Sequence, residues 1–367
     1  MSNNPNGSLQ DVDIIVYICM VLFGPTGSGK TTFANVASGD SMKVGRGLTS
    51  CTQKVEPTTM FLVDGKPVVV IDSPGFDDTY VSDAEILKSV AGFLSVAYTE
   101  NFKITGLIFL HKITDTRVGG KALLHMRMFR QICGIDALKN VVYVTNMWSE
   151  PPTENELLRE SELRESDQFF GMPLSQGAQM SRHNNTQESA HDIIRKVLPR
   201  PPGVTELAKE LVDEGTSLDK TKAGTTLGLG LEDEVRKLNA ELEGLREDHA
   251  QAVKENNERH RKALEEMEQK TQANCKKLEE EIATLRQGHK DQAVDWANRL
   301  KECSESMAAT AATTVANVTA ELEKKHQQAM EAARIAESRG REQLTNAYNA
   351  ALAEARRKRR RGPCIIA

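Results

Sequence analysis

At 367 residues the chain exceeds one typical domain, yet its aromatic content is only 5% and its mean hydropathy is −0.45, which excludes one large apolar core running through all of it. The formal net charge is only −5, from 47 basic and 52 acidic residues. Cys19, Cys51, Cys133, Cys275, Cys303 and Cys364 stand alone with no paired spacing, which argues against a disulfide framework or a zinc site.

The first residues, 1–11, are polar and Asn-rich, with no basic segment ahead of an apolar one, so they are expected to be disordered and to carry no secretory signal. Residues 14–23 form an apolar run far shorter than the roughly 20 residues a membrane span needs, and read as a buried strand. The run feeds Gly24-Pro25-Thr26-Gly27-Ser28-Gly29-Lys30-Thr31, which fills every position of the pattern G-x-x-x-x-G-K-[ST] and is followed by a helix beginning at Thr32. In such a loop the glycines let successive backbone N–H groups turn toward phosphates, Lys30 supplies positive charge, and the Thr31 hydroxyl can ligate Mg²⁺. Gly24, Thr26, Gly27, Ser28, Gly29, Lys30, Thr31 and Thr32 are therefore the candidate phosphate-binding residues.

A polar, Gly-rich stretch, 38–57, is too long for a simple turn and reads as a functional loop. Within it Thr52, preferred over Thr49, is the candidate to ligate Mg²⁺ when a triphosphate is bound. Two short strands, 60–63 and 68–71, flank the turn Asp64-Gly65-Lys66-Pro67, and the second runs into Asp72-Ser73-Pro74-Gly75. Downstream of a phosphate loop this matches the D-x-x-G element of G proteins: Asp72 would hold Mg²⁺ through water, and the Gly75 N–H would contact the outer phosphate. Efficient single-chain GTPases place a Gln next to orient water, whereas Phe76 follows here, so hydrolysis by an isolated copy is expected to be slow. Arg117, after a buried strand at 104–110, is a candidate to reach a neighbour's phosphates; a solvated loop arginine is the competing reading.

Helices are expected at 84–97, 122–133, 151–168 and 186–198, with another buried strand at 141–144. The alternation predicts an α/β P-loop domain over 12–200, with a mainly parallel sheet and a nucleotide at the carboxyl ends of its strands. The last strand ends in Asn146-Met147-Trp148-Ser149, where a G protein usually carries [NT]-K-x-D. Asn146 and Ser149 are the candidate base-side residues; a serine cannot reproduce a bidentate carboxylate, and Glu150 is close enough to substitute.

Pro199-Arg200-Pro201-Pro202-Gly203 breaks the chain, and residues 201–230 read as a linker, with a short helix followed by a flexible run at 223–230. From 231 to 355 Glu, Lys, Ala, Gln, Arg and Leu dominate. Leu231, Val235, Leu238, Leu242 and Leu245 step by four and three as a coiled-coil seam that recurs at Leu278, Ile282 and Leu285, interrupted between; a solvated single helix is the alternative. Residues 356–367 close with a run of six basic residues before Cys364-Ile365-Ile366-Ala367, the pattern of a prenylation box with Cys364 as acceptor. One prenyl chain anchors marginally, and a basic run against an anionic leaflet supplies the second signal; a nuclear or nucleic-acid patch is the competing reading.

On the phosphate loop, Ser50-Cys51-Thr52, Ile71-Asp72-Ser73-Pro74-Gly75-Phe76 and Asn146-Met147-Trp148, residues 12–200 resemble a fungal branch of the immunity-associated nucleotide-binding (IAN/GIMAP) GTPases, more distantly related to septins and chloroplast import GTPases. The resemblance implies GTP as ligand with Mg²⁺, slow hydrolysis, self-association through the nucleotide face, and Arg182-His183-Asn184-Asn185 near the base. The expected whole is a GTP-binding switch that self-associates through the P-loop domain and coiled coil. It would sit lipid-anchored at the cytoplasmic face of an anionic membrane, with a cytosolic pool, and nucleic acid is not an expected partner. The alternatives are a nucleotide-binding scaffold without turnover, or an ATP-preferring NTPase.

Overall fold

The computed structural model of the chain describes residues 18–42, 56–78, 80–100, 102, 104–254 and 258–360, and it falls into two compact units dividing at Ser304. In the first, the apolar run emerges as β1 (Ile18–Phe23), every residue of it buried. The sheet is completed by β2 (Glu56–Pro57), β3 (Phe61–Val63), β4 (Lys66–Asp72), β5 (Ile104–Lys112), β6 (Val141–Asn146) and β7 (Gln179–Arg182). Its order is β2-β4-β1-β5-β6-β7, with β3 also paired to β4; β4, β1, β5, β6 and β7 run parallel, while β2 and β3 are antiparallel to β4. The α/β class with a mainly parallel sheet is as the alternation predicted.

Because side chains alternate across a strand, β1 feeds two cores. Met20 and Leu22 join Ile108, Leu110, Val142 and Val144 beneath α1 (Lys30–Ser38) and α6 (Gln187–Arg195), which contribute Phe33, Ala34, Ile193 and Ile194. Phe23 and Phe109 point the other way, where both lie within 5.0 Å of Phe129 between ring centroids; Tyr143 stacks on Phe170 at 4.3 Å. This second face is covered by α2 (Asp83–Thr99) and α3 (Gly120–Ala137). α4 (Glu154–Glu165) and the short α5 (Gly171–Ser175) connect β6 to β7. The β3–β4 hairpin turns at Asp64 and Gly65, with φ of 51° and 76°, the left-handed pair that an Asp-Gly turn supplies.

Residues 201–230, expected as a linker, are instead folded onto this layer. α7 (Glu206–Val212) buries Leu207 and Leu211, and Leu218, Ala223 and Leu227 are also buried as the chain enters α8 (Lys222–Lys254). The glycine content that suggested flexibility serves close approach. A Cβ on Gly224 would lie 1.8 Å from the Leu218 carbonyl oxygen, and one on Gly230 would lie 2.7 Å from a Leu124 methyl.

The expected seam is occupied within the chain. α8 packs against α9 (Glu258–Arg286), and the pairs Arg246–Glu268 and Cys275–Asn239 fix an antiparallel hairpin in which Leu245, Ala252 and Leu264 form a small core. The hairpin lies on α2 and α3, and the first turns of α10 (Lys290–Arg360) continue along α2, where Trp296 meets Phe93 edge-on at 4.9 Å. In the second unit α10 runs on as a helix whose Met330, Ile335, Leu344 and Tyr348 are exposed. Among the described residues no helix is long and apolar enough to cross a membrane. Residues 1–17, the loop bearing Thr49 and Thr52, and Cys364 lie outside the described residues.

Candidate functional site

The parallel strands deliver their carboxyl ends to one edge of the sheet, where open α/β sheets hold ligands. β1 ends at Phe23, and the next eight residues curl into the start of α1. Gly24, Gly27 and Gly29 take φ of 135°, 74° and 91°, left-handed conformations that side-chain-bearing residues rarely adopt. A Cβ on Gly24 would lie 2.3 Å from the Leu110 carbonyl oxygen, so the loop also needs this glycine for space.

Lys30 is the first residue of α1 and is only 6% exposed. Its ammonium donates to the Gly24 and Pro25 carbonyls at 3.0 and 2.9 Å, folding back across the loop. Burial lowers its pKa to about 8, against the opposing pull of Asp72 and Asp78. The buried Ser28 hydroxyl has no partner among the described residues. Thr32 is half-buried on the first turn of α1.

β4 brings Asp72 to the same edge. The Thr31 hydroxyl donates to Asp72 Oδ2 at 2.6 Å, while Asp72 Oδ1 is buried with no partner among the described residues. Burial raises this carboxyl's pKa, against the opposing pull of the Thr31 hydroxyl and the Lys30 ammonium. Ser73 fastens the strand end to β1 through the Leu22 carbonyl at 2.6 Å.

The following loop is tied to the phosphate loop. Thr26 N–H donates to the Phe76 carbonyl at 2.8 Å, Phe76 N–H to the Gly24 carbonyl at 3.3 Å, and the Thr26 hydroxyl to the Gly75 carbonyl at 3.1 Å. Gly75 cannot carry a side chain here, since a Cβ would lie 2.5 Å from Thr26 N and Cα. Phe76, at the position where a water-orienting Gln would stand, is buried and stacked on His125 with centroids 5.0 Å apart; His125 is in turn bonded to Asp83 at 2.7 Å. An apolar ring turned into the core cannot hold a water.

The residues present fit a divalent cation of the magnesium type. Such an ion takes oxygen ligands and keeps several waters, so a Thr hydroxyl and one unsatisfied carboxylate suffice on the protein side. Clusters of three or more His, Cys, Asp or Glu able to hold a metal are absent among the described residues, as such a site allows.

β6 ends at Asn146, whose amide donates to the Ser28 carbonyl at 3.2 Å, placing Asn146 against the phosphate loop. Met147, with φ of 63°, is 42% exposed. Trp148 is held by its indole N–H on the Thr145 carbonyl at 3.2 Å and lies under the Arg182 guanidinium, 4.2 Å from the ring centroid. β7 thus brings Arg182 beside this segment, and His183 follows, buried, with burial lowering its pKa to about 4. Ser149 is exposed and bonded to Glu156 of α4, not to Glu150. Sequence reasoning did not single out Glu156, although the run Thr153-x-x-Glu156 is a capping-box signature.

Arg117 sits on the exposed turn after β5, beside a cavity of about 330 Å³ whose walls include His111, Arg159 and Phe169. The described residues of this chain place no phosphate-loop group in that cavity.

No protein-family model matches the chain and no curated protein matches it. Among solved structures it is similar to Toc33 from Arabidopsis thaliana in complex with Mg²⁺ and GMPPNP, at 14% identity and a TM-score of 0.39 over 51% of this chain and 87% of that one. It is similar to Aquifex aeolicus Era bound to GDP·AlF4⁻ at 15% identity, with a TM-score of 0.36 over 51% of this chain and 57% of that one. NFeoB from S. thermophilus, bound to GDP·AlF4⁻ and K⁺, is 12% identical with a TM-score of 0.34, over 74% of this chain and 98% of that one.

Proposed function

We propose that the chain is a GTP-binding switch protein that holds Mg²⁺-GTP between its phosphate loop and the Asp72–Gly75 segment and hydrolyses it slowly. The observation that carries this reading is the 2.6 Å contact of Thr31 with Asp72, with Asp72 Oδ1 left unsatisfied beside the buried Lys30. The N–H groups of Gly27 to Thr31 cradle the phosphates, and Lys30 exchanges two carbonyl partners for phosphate oxygens. Thr31 would hold Mg²⁺ directly and Asp72 through water, with Thr52 as a further ligand in the triphosphate state. The bound ion supplies charge neutralisation at the outer phosphates.

Gly75 and Phe76 are bonded to Thr26, so a change at the outer phosphate reaches the Asp72–Gly75 segment directly. Phe76 offers no water-orienting group, and we assign efficient turnover to an assembled form, with Arg117 of a second copy as the candidate to reach the phosphates. A nucleotide-binding scaffold without turnover is the second reading, favoured by the same buried Phe76 and by the exposed helix beyond Ser304. The basic run and Cys364 support tethering of the switch to an anionic membrane by a prenyl group.

The test is calorimetric titration of the full chain with a non-hydrolysable GTP analogue and Mg²⁺. Lys30→Ala is expected to abolish binding at concentrations that saturate the wild type while leaving the unfolding transition cooperative. Equal affinity in the two proteins would refute the site.

A further inference from the structure

The segment after β6 ends in a serine where a base-reading carboxylate is usual, and the surroundings of that serine are specific. The Ser149 hydroxyl donates to Glu156 Oε1 at 2.9 Å, and the Ser149 N–H donates to the same oxygen at 3.1 Å. Glu156 Oε2 accepts the Thr153 N–H at 2.7 Å, and the Thr153 hydroxyl accepts from Glu156 N–H at 3.3 Å. The carboxyl is thereby built into the N-terminal capping box of α4 and is 3% exposed. The Thr153 N–H, followed by the Ser149 N–H and hydroxyl, holds its pKa down to about 2, so it is a carboxylate at any working pH. Ser149 itself is exposed, three residues beyond the Asn146 contact with the phosphate loop.

A hydroxyl normally both donates and accepts. We propose that Ser149, its only hydrogen committed to Glu156, is an acceptor-only group that reads the N1–H and N2–H edge of guanine, with Glu156 as its positioning residue. This rests on the nucleotide-binding reading above and adds the pair that chooses the base. Guanine presents donors on that edge and meets lone pairs. Adenine presents its N1 acceptor there, so two acceptors face each other and one stays unpaired, the kind of mismatch by which a hydrogen-bonding site rejects an analogue. The charged carboxylate behind the hydroxyl strengthens the oxygen as an acceptor through the same chain of bonds.

The test measures affinities of the full chain for non-hydrolysable GTP and ATP analogues with Mg²⁺ in the wild type, Ser149→Ala and Glu156→Gln. Gln serves equally in a capping box, so α4 keeps its cap, but its amide can donate to Ser149 and free the hydroxyl hydrogen. The wild type is expected to prefer GTP by about tenfold or more, and each variant to lose about tenfold for GTP with ATP affinity unchanged, driving the ratio toward one. Ser149→Ala, at an exposed position, reports even if Glu156→Gln perturbs α4. A GTP preference kept by both variants overturns this inference alone, as does a wild type that binds both nucleotides equally. A wild type that binds neither overturns the nucleotide reading itself.

Discussion

Lys30 shows how burial and ligand are linked at a single residue. Burial brings its pKa down to about 8, and phosphate oxygens would raise it again by stabilising the ammonium. Binding above pH 8 must therefore take up a proton, so triphosphate affinity is expected to be flat from pH 6.5 to about 8 and to fall beyond it. Calorimetry in two buffers of different ionisation enthalpy checks this, and an affinity constant up to pH 10 would contradict it. His111 and His183 carry the opposite lesson for stability. Burial lowers both pKa values to about 4, so the folded chain keeps neutral imidazoles while the unfolded chain takes protons from pH 6.5 downward. Protons bound preferentially by the unfolded state reduce stability as pH falls, so the thermal midpoint should drop progressively between pH 6.5 and 4.

At the scale of elements, the α8–α9 hairpin and the start of α10 complete the α2–α3 face of the sheet domain. Trp296 is 2% exposed against Phe93, and Ala84 N–H on α2 donates to Glu281 of α9 at 3.1 Å. Trp296→Ala should cost about 3–5 kcal/mol in denaturant unfolding, the usual range for a buried aromatic. A fragment ending at Gly203 exposes the α2 and α3 faces and should self-associate non-specifically, whereas one ending at Ser304 should unfold cooperatively. Equal stability of the two fragments by calorimetry would refute this packing account. Which elements were legible follows from what each buries. β1, the glycine loop and α1 were readable because an unbroken apolar run, a motif and a helical pattern agree there. β7 was missed: Gln-Met-Ser-Arg is an edge strand with no residue fully buried, so it carries no apolar signal. The short helix within 201–230 is present, but the run at 223–230 opens α8, because its glycines look like flexibility in the sequence and act as contact points in the fold. The link between Ser149 and Glu156 needed the fold, since a capping box in sequence does not say which loop will close on it.

For the whole molecule, the second unit, beyond Ser304, leaves Met330, Leu344 and Tyr348 of α10 exposed. With no polar group at Phe76, turnover per molecule is expected to rise with protein concentration. A specific rate independent of concentration across the association range would favour the scaffold reading. Cys364→Ser should release much of the protein from membranes in high salt, where the basic run alone is screened. The most direct measurement is the Mg²⁺ dependence of affinity for a GTP analogue and for GDP in the wild type and Asp72→Asn, in the full chain. Chelating Mg²⁺ should weaken the wild type's triphosphate binding by at least about tenfold, a step of about 1.4 kcal/mol, while Asp72→Asn should lose most of that dependence. Triphosphate affinity unchanged by chelation in the wild type would contradict the central claim that Thr31 and Asp72 are paired to hold a magnesium-bound nucleotide.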